Sequence, residues 1–324
     1  MRAAIIERVG EPPVVADAPE PVPEEGDVVV EVLAASLNPV DLSVAAGRFY
    51  AGHPRVPYVP GREGVGRVVS GTAVEPGTLV RFEVEAGFGR GGSLAERAAA
   101  PDEDVVELPP ETDPALAAAL GIAGLAGWLP LTDRARLREG ERVLVLGASG
   151  AVGQVAVQAA RILGAGTVVA AARSADGLRR AQELGADATV QLGEEGSVPE
   201  LAERFRDAAG GELDVVVDPV WGMPARSAME ALARGSGRHV NVGQSAAPAL
   251  ELPSAIVRGR AIAVIGYSGF VTPKERQAEA YLELLEHALQ GRLVIERDVL
   301  ALSDAAEAWR RQGQSPHRKL VLQP

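Results

Sequence analysis

The run Val143-Leu144-Val145-Leu146-Gly147-Ala148-Ser149-Gly150-Ala151-Val152-Gly153 sets three glycines at GxxGxxG spacing behind an apolar stretch. Glycine in such a turn lets the main chain approach a pyrophosphate closely, and a helix opening there adds unpaired N–H groups and a positive dipole end. About 20 residues further on, NAD-selective folds carry an acid for the ribose hydroxyls. Here that place reads Ala170-Ala171-Ala172-Arg173-Ser174. A carboxylate would repel a 2′-phosphate, whereas Arg173 can pair with one through two N–H groups and Ser174 can donate a hydrogen bond. These residues predict NADPH in preference to NADH, the alternative being that Arg173 is a solvated surface arginine.

The elements that must position this turn are legible on both sides of it. Strand-like runs at 142–147, 167–172, 188–192, 214–218, 239–243 and 262–266 alternate with helical patterns, which argues for parallel βαβ units in a doubly wound α/β domain. Val152, Val155, Ala156 and Ala159 fall on one helical face before Gly164. From residue 1 to about 110 the pattern is instead short β-branched runs broken by Gly and Pro, such as Val28 to Leu33, Gly66 to Val69 and Thr78 to Phe82. That pattern predicts a mostly antiparallel β domain. Thr112-Asp113-Pro114 reads as the cap and first-turn proline of a buried helix running through the uncharged stretch Ala115 to Leu131. The last segment predicts an amphipathic helix around Tyr281, a strand near Leu293 to Val299, a helix from Ser303 and a final strand at Lys319 to Leu322.

A chain of 324 residues has room for two domains, each with its own core. It holds no cysteine, which excludes disulfides, thiolate catalysis, iron-sulfur clusters and Cys-based zinc sites. With 32 Lys+Arg against 44 Asp+Glu its net charge is −12, poorly suited to nucleic acid or an anionic membrane. Small molecules are the expected partners. His53, His239, His287 and His317 show no HxxxH or HExxH spacing, so none is assigned to a metal. Glu7 and Arg8 interrupt any hydrophobic run of signal-peptide length, and a cytoplasmic location is expected.

Read together, Ala35-Ser36-Leu37-Asn38-Pro39-Val40-Asp41, Val59-Pro60-Gly61-Arg62-Glu63-Gly64-Val65-Gly66-Arg67-Val68, the glycine turn, Leu184-Gly185-Ala186-Asp187 and Arg318-Lys319-Leu320-Val321-Leu322 resemble the medium-chain dehydrogenase/reductase superfamily, in its zinc-independent quinone oxidoreductase and enoyl reductase branch. The resemblance implies a GroES-like catalytic domain over 1–115, completed by about 266–324, and a Rossmann domain over 116–265, with the active site in a cleft between them. It also implies a homodimer in which the strand near Ile262 to Gly266 extends the sheet across subunits. Zinc-dependent relatives hold their metal at positions matching Asn38, Arg62 and approximately Ile122; arginine and isoleucine cannot ligate zinc.

The chemistry expected without zinc is hydride transfer to an acceptor that carries its own polarisation, a quinone or an α,β-unsaturated carbonyl or thioester. The resemblance places Asn38 in the active site, positioning substrate or nicotinamide. Asp41, three residues later, is read as a hydrogen-bond acceptor that orients its neighbours in preference to a general acid. Several enoyl reductases of the group use a tyrosine at the place held here by Phe49, leaving Tyr50 one residue displaced, either as the displaced hydroxyl or as a plain aromatic. Gly177 and Leu192 stand where relatives hold the 2′-phosphate with lysine and tyrosine, so Arg173, with Arg179 nearby, would act alone. Val220, Gly243, Gln244 and Tyr267, after the later strands, are expected at the nicotinamide and its ribose. Lys319 is either a further cofactor contact or a solvated terminal charge. A dedicated enoyl-thioester reductase and a non-catalytic nicotinamide-binding protein are the competing readings.

Overall fold

The computed structural model describes residues 1–50, 52–71, 73–193 and 196–324. Two compact units emerge: Met1–Ile122 with Ile295–Pro324, and Ala123–Val294. The first begins with the hairpin-like pair β1 (Arg2–Ile5) and β2 (Val14–Asp17), followed by the long strand β3 (Asp27–Leu37) and the short helix α1 (Pro39–Ala45). Strands β4 (Glu63–Ser70), β5 (Leu79–Glu83), β6 (Arg97–Pro101) and β7 (Val105–Glu107) and helix α2 (Pro114–Leu120) complete its N-terminal part. β3 is the spine: Val28, Val30 and Val32 alternate into the core with Val68, Val80 and Phe82. Alternation of this kind is what lets one face of a pleated strand bury while the other stays polar.

The helix expected from Ala115 to Leu131 is two helices, α2 and α3 (Ile122–Leu129), broken at Gly121. Asp113 caps α2 as expected, accepting from Ala115 N at 3.0 Å. The break has a cause in the fold. The Ile122 N–H leaves the helical ladder to donate to the Glu63 carboxylate at 2.6 Å, and a Cβ on Gly121 would occupy the space of that carboxylate.

The second unit alternates strand and helix in chain order: β8 (Arg142–Leu146), α4 (Ala151–Ile162), β9 (Thr167–Ala172), α5 (Ala175–Glu183), β10 (Ala188–Gln191), α6 (Val198–Ala209), β11 (Val215–Asp218), α7 (Gly222–Ala231), β12 (Arg238–Asn241), α8 (Ser254–Arg260), β13 (Ala263–Gly266) and α9 (Lys274–Leu289). All six strands run parallel in the order β10-β9-β8-β11-β12-β13, the doubly wound arrangement with its switch point between β8 and β11. Inner strands β8, β9 and β11 are buried along almost their whole length, as strands covered on both faces must be.

The chain then supplies β14 (Arg297–Ala301), α10 (Ala305–Gly313) and β15 (Lys319–Gln323) to the first unit. β15 lies between β14 and β3, pairing Leu320 with Leu37, so the first sheet reads β14-β15-β3-β4-β5-β7 with β6 on β3. The return to the first unit falls at 294/295 and not near 266, because α9 is tied into the second unit by Arg276 to Asp133 and Glu283 to Trp128. The strand expected at Leu293 to Val299 starts later, at Arg297. Among the described residues no single helix is long and apolar enough to cross a membrane.

Candidate active site

In the second unit, three turns at the carboxyl ends of adjacent strands meet. Gly147, at φ +61°, leaves β8 and packs so tightly beneath the next turn that a Cβ there would lie 2.8 Å from Val220 Cγ1 and 3.2 Å from Pro219 Cγ. A Cβ on Gly243, after β12, would lie 2.9 Å from the Pro219 carbonyl. Gly153 is closer still to its neighbours, with no room for a side chain against the Gly147 carbonyl. Gly150 caps α4, whose first-turn N–H groups at Ala151, Val152 and Gly153 have no intrahelical acceptors. The result is a main-chain concavity of positive polarity at the switch point, suited to a pyrophosphate.

The second strand ends as the composition of the turn requires. The Ser174 hydroxyl accepts from Gly177 N at 3.1 Å and so caps α5, keeping its own proton for donation. Among the described residues no hydrogen bond or ion pair engages the exposed Arg173 guanidinium; only its carbonyl is used, by Gln191. Arg179 is exposed and paired with Asp176. A Cβ on Gly177 would collide with Ser149, so the glycine turn and the start of α5 touch where a longer residue would separate them. Leu192 is core.

Beneath these turns lies a buried network. His239 Nε2 and Asp218 Oδ2 are 2.8 Å apart, both side chains wholly buried. Asp218 Oδ1 accepts from Val220 N at 2.9 Å and Trp221 N at 2.8 Å, which holds the loop in a conformation with Trp221 at φ +62°. Asn241 ties Gly243 to the same group, donating to its carbonyl at 2.7 Å. Tyr267 is half-buried, anchored through its N–H to the Asn241 carbonyl, while Gln244 is exposed.

The first unit holds the other polar concentration. Asn38, 2% exposed, is the N-cap of α1, and its amide is held in one orientation by partners of opposite kind. Lys319, which can only donate, takes Oδ1; Glu63 Oε1, which can only accept, takes Nδ2 at 2.8 Å. Glu63 is the hub: Ser36 donates to Oε1, Ile122 N to Oε2, and Arg81 and Lys319 lie 3.6 and 3.5 Å away. Burial pushes the Glu63 carboxyl up, but these two cations and the Ser36 and Asn38 hydrogen bonds outweigh it and hold the group below the ordinary glutamate value. Burial also pulls Lys319 down from the ordinary lysine value. Lys319 is 3% exposed, so the solvated terminal charge is corrected: its strand, β15, runs inside the sheet.

Asp41 is wholly buried and takes Asn38 N on Oδ2 at 2.7 Å and Arg62 N on Oδ1 at 3.1 Å. Desolvation pushes its carboxyl up to about 6, against the opposing pull of the Asn38 N–H and of Arg62 and Lys319. Between the unfolded value near 3.9 and the folded value the native protein keeps a proton that the unfolded chain has lost, so stability falls as pH rises through this window and is level above it. Relative to Asp41→Asn, the wild type should lose up to about 3 kcal/mol between pH 4 and pH 7. Urea denaturation of both proteins across this range measures it, and a pH-independent difference would refute the assignment.

Phe49 is half-buried and Tyr50 is 76% exposed, their rings 4.4 Å apart; Phe49 also lies 6.1 Å from Phe88 and 5.9 Å from the Arg62 guanidinium. Glu63 and His239 are the residues that sequence reasoning passed over. Glu63 reads as one charge in a glycine-rich strand, and its partners at 36, 38, 81 and 319 are unconnected until the sheet forms. His239 could have been found from its place two residues before the strand end that carries Asn241.

Comparison with known proteins agrees with this architecture. Residues 24–110 match the alcohol dehydrogenase GroES-like domain, and residues 151–287 match the zinc-binding dehydrogenase domain. The quinone oxidoreductase of Lama guanicoe is 31% identical over 252 residues, covering 75% of this chain and 73% of that protein. A phenolphthiocerol/phthiocerol polyketide synthase chain of Mycobacterium tuberculosis is 29% identical over 323 residues, 93% of this chain but 14% of that one. Among solved structures, the quinone oxidoreductase from Thermus thermophilus, also solved as its NADPH complex, aligns over 100% of both chains at 33% identity and TM-score 0.79. The chain belongs to the medium-chain dehydrogenase/reductase superfamily, and within it to the quinone-oxidoreductase-like branch. Despite the name of the second matching domain, the chain has no cysteine, and among the described residues no group of three His, Asp or Glu side chains could hold a metal ion.

Proposed function

We propose that the chain is an NADPH-dependent, zinc-independent oxidoreductase that reduces a quinone or an α,β-unsaturated carbonyl compound. The observation that carries this reading is the exposed, unengaged Arg173 guanidinium at the end of β9, beside a glycine turn whose helix presents free N–H groups. Gly147, Ser149, Gly150, Ala151, Val152 and Gly153 would hold the pyrophosphate, Arg173 and Ser174 the 2′-phosphate. Val220, Gly243, Gln244 and Tyr267 would line the nicotinamide ribose. When bound, the reduced nicotinamide supplies a hydride; the protein supplies orientation, exclusion of water and hydrogen bonds to the oxygen that gains charge. In this reading Asn38 positions substrate or nicotinamide with the Nδ2 proton that Glu63 does not take, which now makes only a 3.5 Å contact with Ser36 O. Asp41 fixes the Asn38 main chain, and Lys319 fixes its amide.

The test is NADPH oxidation with EDTA present, NADH in parallel, and a simple quinone and an enone as acceptors. Turnover should survive the chelator and favour NADPH. Arg173→Asp should weaken NADPH binding about 10- to 150-fold, the loss of one or two charge-assisted hydrogen bonds, and leave NADH binding unchanged. Equal losses for both nucleotides, or none, would remove Arg173 from the site. The match to a polyketide synthase over 93% of this chain favours a second reading, an enoyl-thioester reductase. Turnover of acyl thioesters in preference to quinones would establish it. Tight NADPH binding with no acceptor would favour the non-catalytic reading.

We also propose a homodimer. β13 ends the six-stranded sheet with its backbone edge open and Val264 38% exposed, and exposed Phe270 and Val271 follow it in the chain. An apolar open edge of this kind is a template for a second strand. Sedimentation should give twice the chain mass for the wild type and the single chain mass for Val264→Lys.

A further inference from the structure

The middle of the three turns in the second unit, Pro219 to Gly222, is held from three sides. Val220 packs over Gly147, where a Cβ would lie 2.8 Å from its Cγ1. The Pro219 and Val220 carbonyls accept from Ser245 N at 3.2 Å and Ala246 N at 2.8 Å, which joins the turn to the one after β12. On the inner side Asp218 Oδ1 takes the Val220 and Trp221 N–H groups. The conformation so held is a strained one: Trp221 lies at φ +62°, ψ −164°, a region that glycine occupies almost alone, and Gly222 follows at φ +69°. Backbone of this kind persists only where its surroundings over-determine it, and it gathers where geometry is used. His239 is the last member of the support. It is wholly buried, its ring edge-on to that of Trp221 at 6.1 Å, with Nε2 2.8 Å from Asp218 Oδ2. Oδ2 faces donors, His239 and more distantly the Asn241 amide at 3.5 Å, so the ring carries its proton on Nε2. Nδ1 is then bare and buried, with no hydrogen-bond partner among the described residues. A ring left half unsatisfied costs more in a core than an apolar side chain of similar size, so packing alone does not account for a histidine here.

We propose that His239 is a positioning residue for the nicotinamide half of the dinucleotide: by fixing Asp218 it holds Val220 and Trp221 in the one turn conformation that the nicotinamide ribose meets. The inference rests on the reading above in which Val220 and Gly243 line that ribose. His239 acts through Asp218 and the main chain and not by contact with the nucleotide. Without it the carboxylate is free to turn, the two N–H groups lose a fixed acceptor, and Trp221 relaxes toward ordinary backbone. The fraction of molecules with the turn in place then falls, and the apparent affinity falls with it.

Two measurements on His239→Leu test this, one without nucleotide and one with it. In the free protein, amide hydrogen exchange at Val220 and Trp221 should accelerate about 10- to 150-fold relative to the β8 amides of Val143 to Val145, the value of one hydrogen bond to a charged group. In calorimetric titration NADPH should bind more weakly by the same factor, while adenosine 2′,5′-bisphosphate, which lacks the nicotinamide half, should bind as it does to the wild type. His239→Gln, whose amide carries an N–H at the reach of Nε2, should restore both properties; His239→Asn, shorter by a methylene, should not. If His239→Leu does not fold, the Gln and Asn variants still decide the matter. Unaccelerated exchange at Val220 and Trp221, equal losses for NADPH and the bisphosphate, or a Gln variant no better than Asn overturns the proposal. A wild type that binds neither ligand refutes the NADPH reading and this proposal with it. A wild type that binds both, beside a His239→Leu variant that loses neither, refutes the role of His239 alone.

Discussion

Replacing Glu63 with alanine should destabilise the first unit by about 3–5 kcal/mol, because the change strands buried partners of both kinds. Lys319 and Arg81 lose the carboxylate that compensates them, Ser36 and the Asn38 amide lose an acceptor, and the Ile122 N–H at the start of α3 is left without one. Removing one member of a buried ion pair costs far more than the pair contributes, since the survivor remains desolvated. Glu63→Gln should lie between alanine and wild type, keeping the shape and two hydrogen-bond positions but not the charge. Adding Lys319→Met to Glu63→Ala should recover part of the loss, as the double change removes an unpaired cation along with its absent partner. Denaturant unfolding of the wild type, Glu63→Ala, Lys319→Met and the double variant gives the cycle; strictly additive losses would show that Glu63 and Lys319 do not act together.

The second large effect is expected at Gly153. A single methyl there meets the Gly147 carbonyl and lies 2.6 Å from the Ala148 Cα, so Gly153→Ala must push the turn away from α4. The strain of such an insertion is about 1–3 kcal/mol, and because the displaced atoms are those offered to the pyrophosphate, NADPH affinity should drop about 5- to 150-fold. Gly150→Ala is the control. Its Cβ would stand 3.5 Å from the Gly147 oxygen, an ordinary contact, so the apo protein should fold with wild-type stability. Fluorescence titration with NADPH, with a melting curve for each variant, separates the two effects. Wild-type affinity in Gly153→Ala would mean that the turn is not the phosphate cradle.

The glycine turn, the six parallel strands and the capped start of α2 were all readable in the sequence, because each is decided by neighbours within a few residues. Apolar runs covered on both faces need no distant partner to be recognised, and Ser174 caps α5 with an atom three residues away. The polar cluster of the first unit was readable only in part. Asn38 and Asp41 stand out through a motif, but nothing local tells Glu63 that it will be buried, or Lys319 that it will meet an asparagine 281 positions earlier. The break at Gly121 belongs to the same class: the Ala115–Leu131 stretch is apolar throughout, and it is the distant Glu63 carboxylate that captures the Ile122 N–H. The handover at 294/295 was hidden likewise, since α9 is amphipathic in either unit and it is distant partners, such as Asp133 for Arg276 and Trp128 for Glu283, that tie it to the second.

The place of β15 in the first sheet also dictates an order of events at synthesis. Leu320 pairs with Leu37, yet the roughly 280 residues between them take about 14–56 s to translate at typical rates. The second unit is continuous in the chain and can close its core within that interval. The first cannot: the flank of β3 that β15 will cover stays open, lined by Ala35 and Leu37, until the last strand emerges. Nascent chains should therefore reach protease resistance in the second unit before the first. The waiting β3 edge, not the cofactor fold, is where chaperone binding during synthesis would concentrate.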